Sequence, residues 1–321
     1  MEKKRLIAEL DSKQRADIYI RDHTPLSRGQ IQKFVENARV TVNGRIISTS
    51  NHKIKNGDII EYTEDPPKDA APAHNDIPLD ILYEDGDILV INKQAGLVVH
   101  PAPGHADGTL VNAIIEKHIN PEDFDEESGR LGVVHRLDKD TSGVMVIAKN
   151  EASCRGLVSM FKEREPEKFY KAIVHGRVEE EGKIETFIDR DTRDRKKFTA
   201  KLMHGKEAQT IFYPEEVFYG ASLLKVKILT GRTHQIRVHM SHIKHPVAGD
   251  PVYGDRARDK EMTEYLGYNG KSVDDLLPRQ MLHAYSLKFK HPATGAMLEF
   301  TAPLPDDFTR LLNMLRKKNE G

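Results

Sequence analysis

The segment EDPPKDAAPAHND, residues 64–76, constrains the fold more than any other stretch of the chain. It is rich in proline, alanine and acid and holds no large apolar residue, so it reads as an extended linker rather than part of a core. The 321 residues therefore divide into a small module, residues 1–63, and a larger domain, residues 77–321. The division also separates charge. The whole chain has 49 Lys+Arg against 50 Asp+Glu, a net of -1. Residues 1–62 hold 12 basic and 8 acidic side chains, a net of +4, and the remainder holds 37 against 42, a net of -5. A neutral total argues against a general positive field for nucleic acid, but it is silent on where charge is placed.

Composition excludes other classes. Cys154 is the sole cysteine, so neither an intrachain disulfide nor a cysteine-based zinc site is available. The opening residues carry charge where a secretory signal needs an apolar run, and no stretch approaches the ~18 apolar residues of a membrane helix. A cytoplasmic protein with no membrane partner is expected.

In the small module, Arg15, Ala16, Asp17, Ile18 and Ile20 mark a first helix. Ser27 is placed to cap a second, in which Ile31, Phe34 and Val35 share a stripe. Val40-Thr41-Val42 alternates into the tight-turn pair Asn43-Gly44, Ile46-Ile47 follows, and Asn56-Gly57-Asp58 leads into a strand at residues 59–62. The predicted order is helix, helix, short strands. Arg28, Lys33, Arg39 and Arg45 flank the second helix and its hairpin, either as phosphate contacts or as a charged face turned to water. Arg15-x-Asp17, Leu26-Ser27-Arg28, Val40-x-Val42-Asn43-Gly44 and Gly57-Asp58 resemble the αL-type RNA-binding module. RNA binding through Arg28, Lys33 and Arg45 is what that resemblance implies. Ala16 and Ala38 depart from it, standing where leucine and glycine are usual.

In the larger domain, residues 81–83 and 88–91 read as a hairpin, residues 133–134 and 144–148 as core strands, and residues 169–174 and 223–229 as alternating strands. Residues 152–164 and 233–243 read as helices, the second with Ile236, Met240 and Ile243 on one stripe. Strands joined mostly by turns predict an α+β domain with a mixed, mainly antiparallel sheet. Between two of the core strands lies His135-Arg136-Leu137-Asp138-Lys139-Asp140-Thr141-Ser142-Gly143. Such a density of ionisable and hydroxyl groups suits either a reactive loop or a charged turn. Asp138 stands between Arg136 and Lys139, cations expected to keep it ionised as a nucleophile or base.

The sequence VVHRLDKDTSGVMVIAK, residues 133–149, is similar to the signature of the RluA/RluD family of pseudouridine synthases. Leu89-Val90-Ile91-Asn92-Lys93, His100-Pro101, Gly104, Gly108-Thr109-Leu110 and Lys168-x-Tyr170-Lys171-Ala172 continue the resemblance. So do residues 231–240, Gly249-Asp250, Tyr253-Gly254, Arg279-Gln280 and Leu282-His283-Ala284. Gln94 departs, where proline is common.

The resemblance implies isomerisation of uridine to pseudouridine in RNA, of the RluD-like large-subunit rRNA type, by a monomer using no cofactor or metal. It implies that Asp138 attacks C1′ or takes the C2′ proton, that Tyr170 stacks on the base and helps remove the C5 proton, and that Arg237 holds Asp138. The uridine must leave its stack, with Arg136 filling the gap. His135, Arg232, His234 and Gln235 would contact RNA. Two other readings compete: a catalytically silent RNA-binding or ribosome-assembly protein, and a metal-dependent hydrolase on His234, His239, His242 and His245. No Asp or Glu sits at ligand spacing to those histidines, which disfavours the second. Residues 190–206 form a local basic stretch read as an RNA-backbone contact or a solvated loop, and the acidic residues 122–127 as a solvated loop.

Overall fold

The computed structural model describes residues 2–24, 26, 28–64, 76–101, 107–115, 117–124, 131–191, 194, 197–268 and 272–320. Several sequence expectations lie outside the described residues: the capping role of Ser27, linker residues 65–75, Gly104, the acidic residues after 124, and Arg193, Arg195 and Lys196. The contacts divide the chain into two compact units, Met1–Ala71 and Pro72–Gly321.

The first unit runs β1 (Glu2–Ile7), β2 (Gln14–Arg15), α1 (Ala16–Asp22), α2 (Arg28–Glu36), β3 (Val40–Val42), β4 (Arg45–Ile46), β5 (Lys53–Ile54) and β6 (Ile59–Glu64). Its core gathers Tyr19, Ile20, Ile31, Val35, Val40, Ile54, Ile60 and Tyr62. The helices fall where the periodicity puts them, but the predicted order is corrected at its start. Strand β1 precedes both helices and pairs antiparallel with β6 at the edge of the sheet β1-β6-β3-β4. Its sequence, EKKRLI, carries the charge typical of an edge strand, so no apolar alternation announces it. Asn43 and Gly44 adopt φ of 51° and 77°, the geometry of a two-residue hairpin turn. Ala38 holds φ 56° just beyond α2, where Arg39 N–H reaches back to the Phe34 carbonyl at 2.8 Å. That helix-ending, left-handed position favours glycine.

The second unit runs β7 (Asp80–Glu84), β8 (Ile88–Lys93), α3 (Leu110–Ile114), β9 (Ser142–Ala148), α4 (Glu151–Lys162), β10 (Glu167–His175), β11 (Gly182–Arg190), β12 (Phe198–Lys201), β13 (Lys206–Phe218) and β14 (Ala221–Ile228). It continues through α5 (Gln235–His242), α6 (Arg256–Tyr265), α7 (Val273–Leu276), β15 (Leu282–Lys290), β16 (Met297–Thr301) and α8 (Asp306–Glu320). Among the described residues the strands form one sheet, β12-β11-β13-β14-β10-β15-β9-β8-β7, with β16 on β15. The β9–β15 pairing is parallel and the others are antiparallel, giving the mainly antiparallel α+β fold expected. Alternation along β10 sorts its two faces. Tyr170, Ala172 and Val174 join the main core, whereas Ile173 packs in a second cluster with Phe308, Leu311 and Leu315 of α8. No helix among the described residues is long and apolar enough to cross a membrane.

Residues 133–134 do not form the predicted strand. Val133 makes a single bridge to Ile147, and the His135 ring Nε2 accepts Val146 N–H at 3.1 Å. A side chain thus takes the backbone donor that a further strand would need. The following loop enters β9 through Gly143, φ 118°, where a Cβ would stand 2.2 Å from the Ala284 carbonyl oxygen. Only glycine lets the loop join the sheet at this depth.

Ala38→Gly is expected to stabilise the first unit by about 0.5–1 kcal/mol, the relief of a left-handed alanine less the entropy of glycine. Native-state hydrogen exchange at Val40 and Ile60 reads the change; faster exchange in the variant contradicts it.

Candidate active site

Asp138 stands at the first position of a tight turn closed by Thr141 N–H to its own carbonyl at 3.1 Å. Its carboxylate is engaged from 99 positions along the chain, by Arg237 on the first turn of α5. Arg237 Nη1 donates to Asp138 Oδ2 at 3.0 Å, while Nε and Nη2 donate to Asp250 Oδ2 and Oδ1 at 2.7 and 2.8 Å. Asp250 is fully enclosed and also accepts the Val252 and Tyr253 N–H groups at 2.8 and 3.0 Å. Burial disfavours the guanidinium charge, but hydrogen bonding and charge from Asp250, then Asp138, outweigh it and raise its pKa above the usual arginine value. The contact of Arg237 with Asp138 that the resemblance implies is therefore present, whereas Arg136 and Lys139 make no ion pair with Asp138 among the described residues. Both are exposed, because a turn sends neighbouring side chains in different directions.

His234 precedes α5 in a left-handed conformation, φ 55°, with Nε2 3.8 Å from Asp138 Oδ1. Its Nδ1 lies 2.8 Å from the Tyr253 hydroxyl. That hydroxyl accepts Phe198 N–H at 2.9 Å, and where it donates its own hydrogen to Nδ1 the imidazole proton sits on Nε2, facing Asp138. Burial lowers the His234 pKa against the opposing pull of Asp138, which favours the neutral ring. The Tyr253 ring also lies under the Arg237 guanidinium, 5.1 Å away.

Tyr170 lies on β10 beside a register shift against β15, where Phe169 faces Ser286 and Tyr170 faces Ala284. Irregularities of this kind re-aim a side chain. Tyr170 and Asp138 line the same cavity, of about 760 Å³. Among the described residues the phenol has no hydrogen-bond partner. Burial, and secondly the charge of Asp138, push its pKa above the usual tyrosine range, so it stays protonated.

Six Lys/Arg side chains line the cavity, Arg136, Lys162, Arg164, Lys168, Arg232 and Arg237, and Asp138 is the one carboxylate among its described lining residues. A lone carboxylate already bound to arginine is a poor donor set for a divalent cation. The histidines are committed separately. His239 is fully buried, between Thr210 at 2.8 Å and Thr186 at 3.0 Å, and His245 contacts the His175 carbonyl at 2.9 Å. Away from the cavity, Asp85, Asp87 and His291 cluster, with Asp85 and His291 hydrogen-bonded at 2.9 Å.

The cavity gathers Asp138, Tyr170, Arg237, Arg136, His135, Arg232, His234 and Gln235. One of these, Gln235, is corrected as an RNA contact, and His135 has one ring nitrogen engaged within the protein. The Gln235 amide is buried and consumed internally, by Thr230 at 2.7 Å, Arg232 N–H at 3.0 Å, and Gln209 O and Thr210 at 2.9 Å each. His135 stacks on Phe161 at 4.7 Å and, pushed down to about 3 by burial and then by Lys168, stays neutral while its Nε2 fastens the loop to β9. Arg232 keeps part of its fork free of its 2.8 Å bond to the Glu207 carbonyl. Lys33 and Arg45 are exposed on the first unit, and the Arg28 side chain is outside the described residues. Sequence reasoning missed Asp250 and Tyr253, although both stand in matched motifs. It also missed Lys162 and Arg164, at the basic end of the predicted helix, and Lys168, which stands in the matched Tyr170 motif. Burial, then Arg164, pushes Lys168 down to about 8. In the basic stretch, Lys201 pairs with Asp189 at 3.0 Å and Arg190 lies over Phe198 at 5.8 Å.

Known proteins resemble this chain along most of its length. The RNA pseudouridylate synthase family pattern matches residues 87–242, and the S4 domain pattern residues 14–60. A Yersinia pestis protein named ribosomal large subunit pseudouridine synthase D is 40% identical over 317 residues, covering 98% of this chain and 94% of that protein. An Aquifex aeolicus protein named as an RNA pseudouridine synthase is 43% identical over 306 residues, 92% of each chain. The solved structure of human RNA pseudouridylate synthase domain containing 4 aligns with a TM-score of 0.55 and 26% identity, over 74% of this chain and 93% of that one. The cation-lined cavity, the S4 domain and relatives matched along nearly their whole length lead to one conclusion: the chain belongs to the RNA pseudouridylate synthase family, enzymes that isomerise uridine in RNA.

Proposed function

We propose that this enzyme converts specific uridines of large-subunit ribosomal RNA to pseudouridine, with Asp138, Tyr170 and Arg237 as its catalytic groups. The observation that carries the assignment of roles is the divided arginine. Asp250 takes two donors of Arg237 and Asp138 takes one, so Asp138 Oδ1 is left toward the cavity without a hydrogen bond from Arg237.

Uridine and pseudouridine are isomers, so the reaction needs no net oxidant or group donor. The N1–C1′ bond breaks, the uracil turns, C5 bonds to C1′, the C5 proton leaves and N1 gains one. Departure of uracil makes C1′ electron-poor and the base electron-rich. An ionised Asp138 answers the first, by attack at C1′ or by taking the C2′ proton. The Nε2–H of His234 and the surrounding cations answer the second. Tyr170 offers its face for stacking against the flipped base. Its phenol is protonated in the resting enzyme, and the charge of Asp138 is one cause. Attack of Asp138 at C1′ would remove that charge and bring the phenol closer to service as the base at C5. Arg136, which is exposed and lines the cavity, supports the reading that it occupies the gap in the RNA. The relatives named for the large subunit support the choice of RNA. The domain division at residues 64–76 gives the first unit the work of RNA capture through Lys33, Arg45 and Arg28.

With rRNA fragments tritiated at uracil C5, the wild type is expected to release tritium in the presence of chelator. Asp138→Asn should lower release by at least about 10³-fold, and Tyr170→Phe should lose turnover while still binding RNA. Wild-type release by Asp138→Asn would remove the carboxylate from the mechanism, and no release from any fragment would favour a binding protein. For the first unit, Lys33→Ala with Arg45→Ala should weaken RNA binding across sequences and lower the salt slope by about 2. An unchanged slope would remove both from the RNA interface.

A further inference from the structure

The turn that presents Asp138 is held at both of its central carbonyls. Within a tight turn those two groups have no partner of their own. Here the Lys139 carbonyl accepts from Lys93 Nζ at 2.9 Å, and the Asp140 carbonyl accepts from Arg279 Nη1 at 3.0 Å. Lys93 is fully buried, and its other hydrogen bonds go to the Gln94 and Leu97 carbonyls at 2.8 and 2.9 Å. Arg279 is 6% exposed. Its Nε and Nη2 grip Asp307, in the first turn of α8, at 2.6 and 2.9 Å. The next two residues of the loop are fastened in turn, Thr141 Oγ1 by Gln280 Nε2 at 3.2 Å and Ser142 Oγ by His283 Nδ1 at 2.9 Å.

We propose that Arg279 is a positioning residue for the isomerisation: it fixes the turn through the Asp140 carbonyl, and Asp307 of α8 fixes Arg279, so the C-terminal helix sets the aim of Asp138. Arg279 is absent from the cavity lining, so it acts on the reaction through the turn and not on RNA. The fold supplies the reason for such a link. Helix α8 packs in the cluster that holds Ile173, whereas Tyr170 belongs to the other face of β10. Arg279 joins that second cluster's helix to the catalytic loop with one rigid, always-charged fork. A cation here does what a neutral donor would do less firmly, because it holds a backbone acceptor while neutralised by the half-buried carboxylate of Asp307. Loss of the fork lets the turn rotate, and a displacement of about 1 Å at a reacting group is enough for a rate loss on the order of 10²-fold.

The inference rests on Asp138 being the catalytic carboxylate, so Asp138→Asn accompanies the test. The experiment is single-turnover tritium release with enzyme in excess, at saturating RNA, using the full-length protein. The rate constant then reports each folded molecule, and the amplitude reports how many are competent. Arg279→Met should lower the rate constant about 10–100-fold, with amplitude kept and the RNA Kd within about twofold. Arg279→Lys should fall between Arg279→Met and wild type. Asp307→Asn, which preserves shape, should lower the rate constant about 3–10-fold and carries the test if Arg279→Met does not fold. A wild-type rate constant in Asp307→Asn or Arg279→Met, with or without reduced amplitude, overturns the proposal, as does a loss confined to Kd. If Asp138→Asn itself keeps the wild-type rate, the fault lies with the catalytic reading instead.

Discussion

A buried guanidinium divided between two carboxylates is the interaction on which the rest of this site depends. Arg237 is 4% exposed, and a charge at that depth persists only when paired. One carboxylate would suffice for that pairing. Asp250 is the better partner, because it takes two donors and is itself satisfied by two backbone N–H groups. The third donor is therefore spare, and it goes to Asp138. The asymmetry separates the tasks: Asp250 anchors the charge and Asp138 borrows it. Removing Asp250 would leave the arginine with one exposed-side partner, a disruption that costs on the order of 3–5 kcal/mol in buried pairs. Asp138 is held more loosely, which is what a group that must approach a sugar carbon requires.

The electrostatics resolve the apparent conflict between a neutral chain and an RNA substrate. Lys162, Arg164 and Lys168 enter the cavity from the end of α4 and the start of β10, and Arg136, Arg232 and Arg237 from two other segments. Against six cations the cavity sets one carboxylate. The acidic excess of the second unit therefore lies elsewhere, and focusing of charge within a cleft matters more than its sum. The same cations that attract phosphate also surround the place where negative charge develops on the departing base.

Much of the fold was legible because it follows local rules. The stripe of Ile31, Phe34 and Val35, the Asn43-Gly44 turn and the alternation along β10 and β14 each carry their own period. Strand β1 was not legible, since a charged edge strand has no apolar pattern to read. Val133-Val134 misled in the opposite sense: it has strand composition, but the His135 ring occupies the donor on β9. At the site, the density of the loop left Asp138 open between a reactive loop and a charged turn, and the resemblance singled it out with Arg237 as its partner. A tight turn scatters adjacent side chains, so local spacing alone does not give the partner; the resemblance did, by pointing to Arg237 of α5. Tyr253 and Asp250 were hidden for the same reason. Gln235 was expected to contact RNA from the resemblance, yet its amide satisfies the backbone and hydroxyls around it.

The most direct test of this account is the single-turnover rate of Arg237→Lys at saturating RNA. Lysine keeps the positive charge but cannot serve two carboxylates through a planar fork. If the divided fork aims Asp138, the rate constant should fall by about 10²-fold or more, with RNA affinity within about threefold of wild type. A near wild-type rate in Arg237→Lys would show that charge alone suffices and would contradict the central claim.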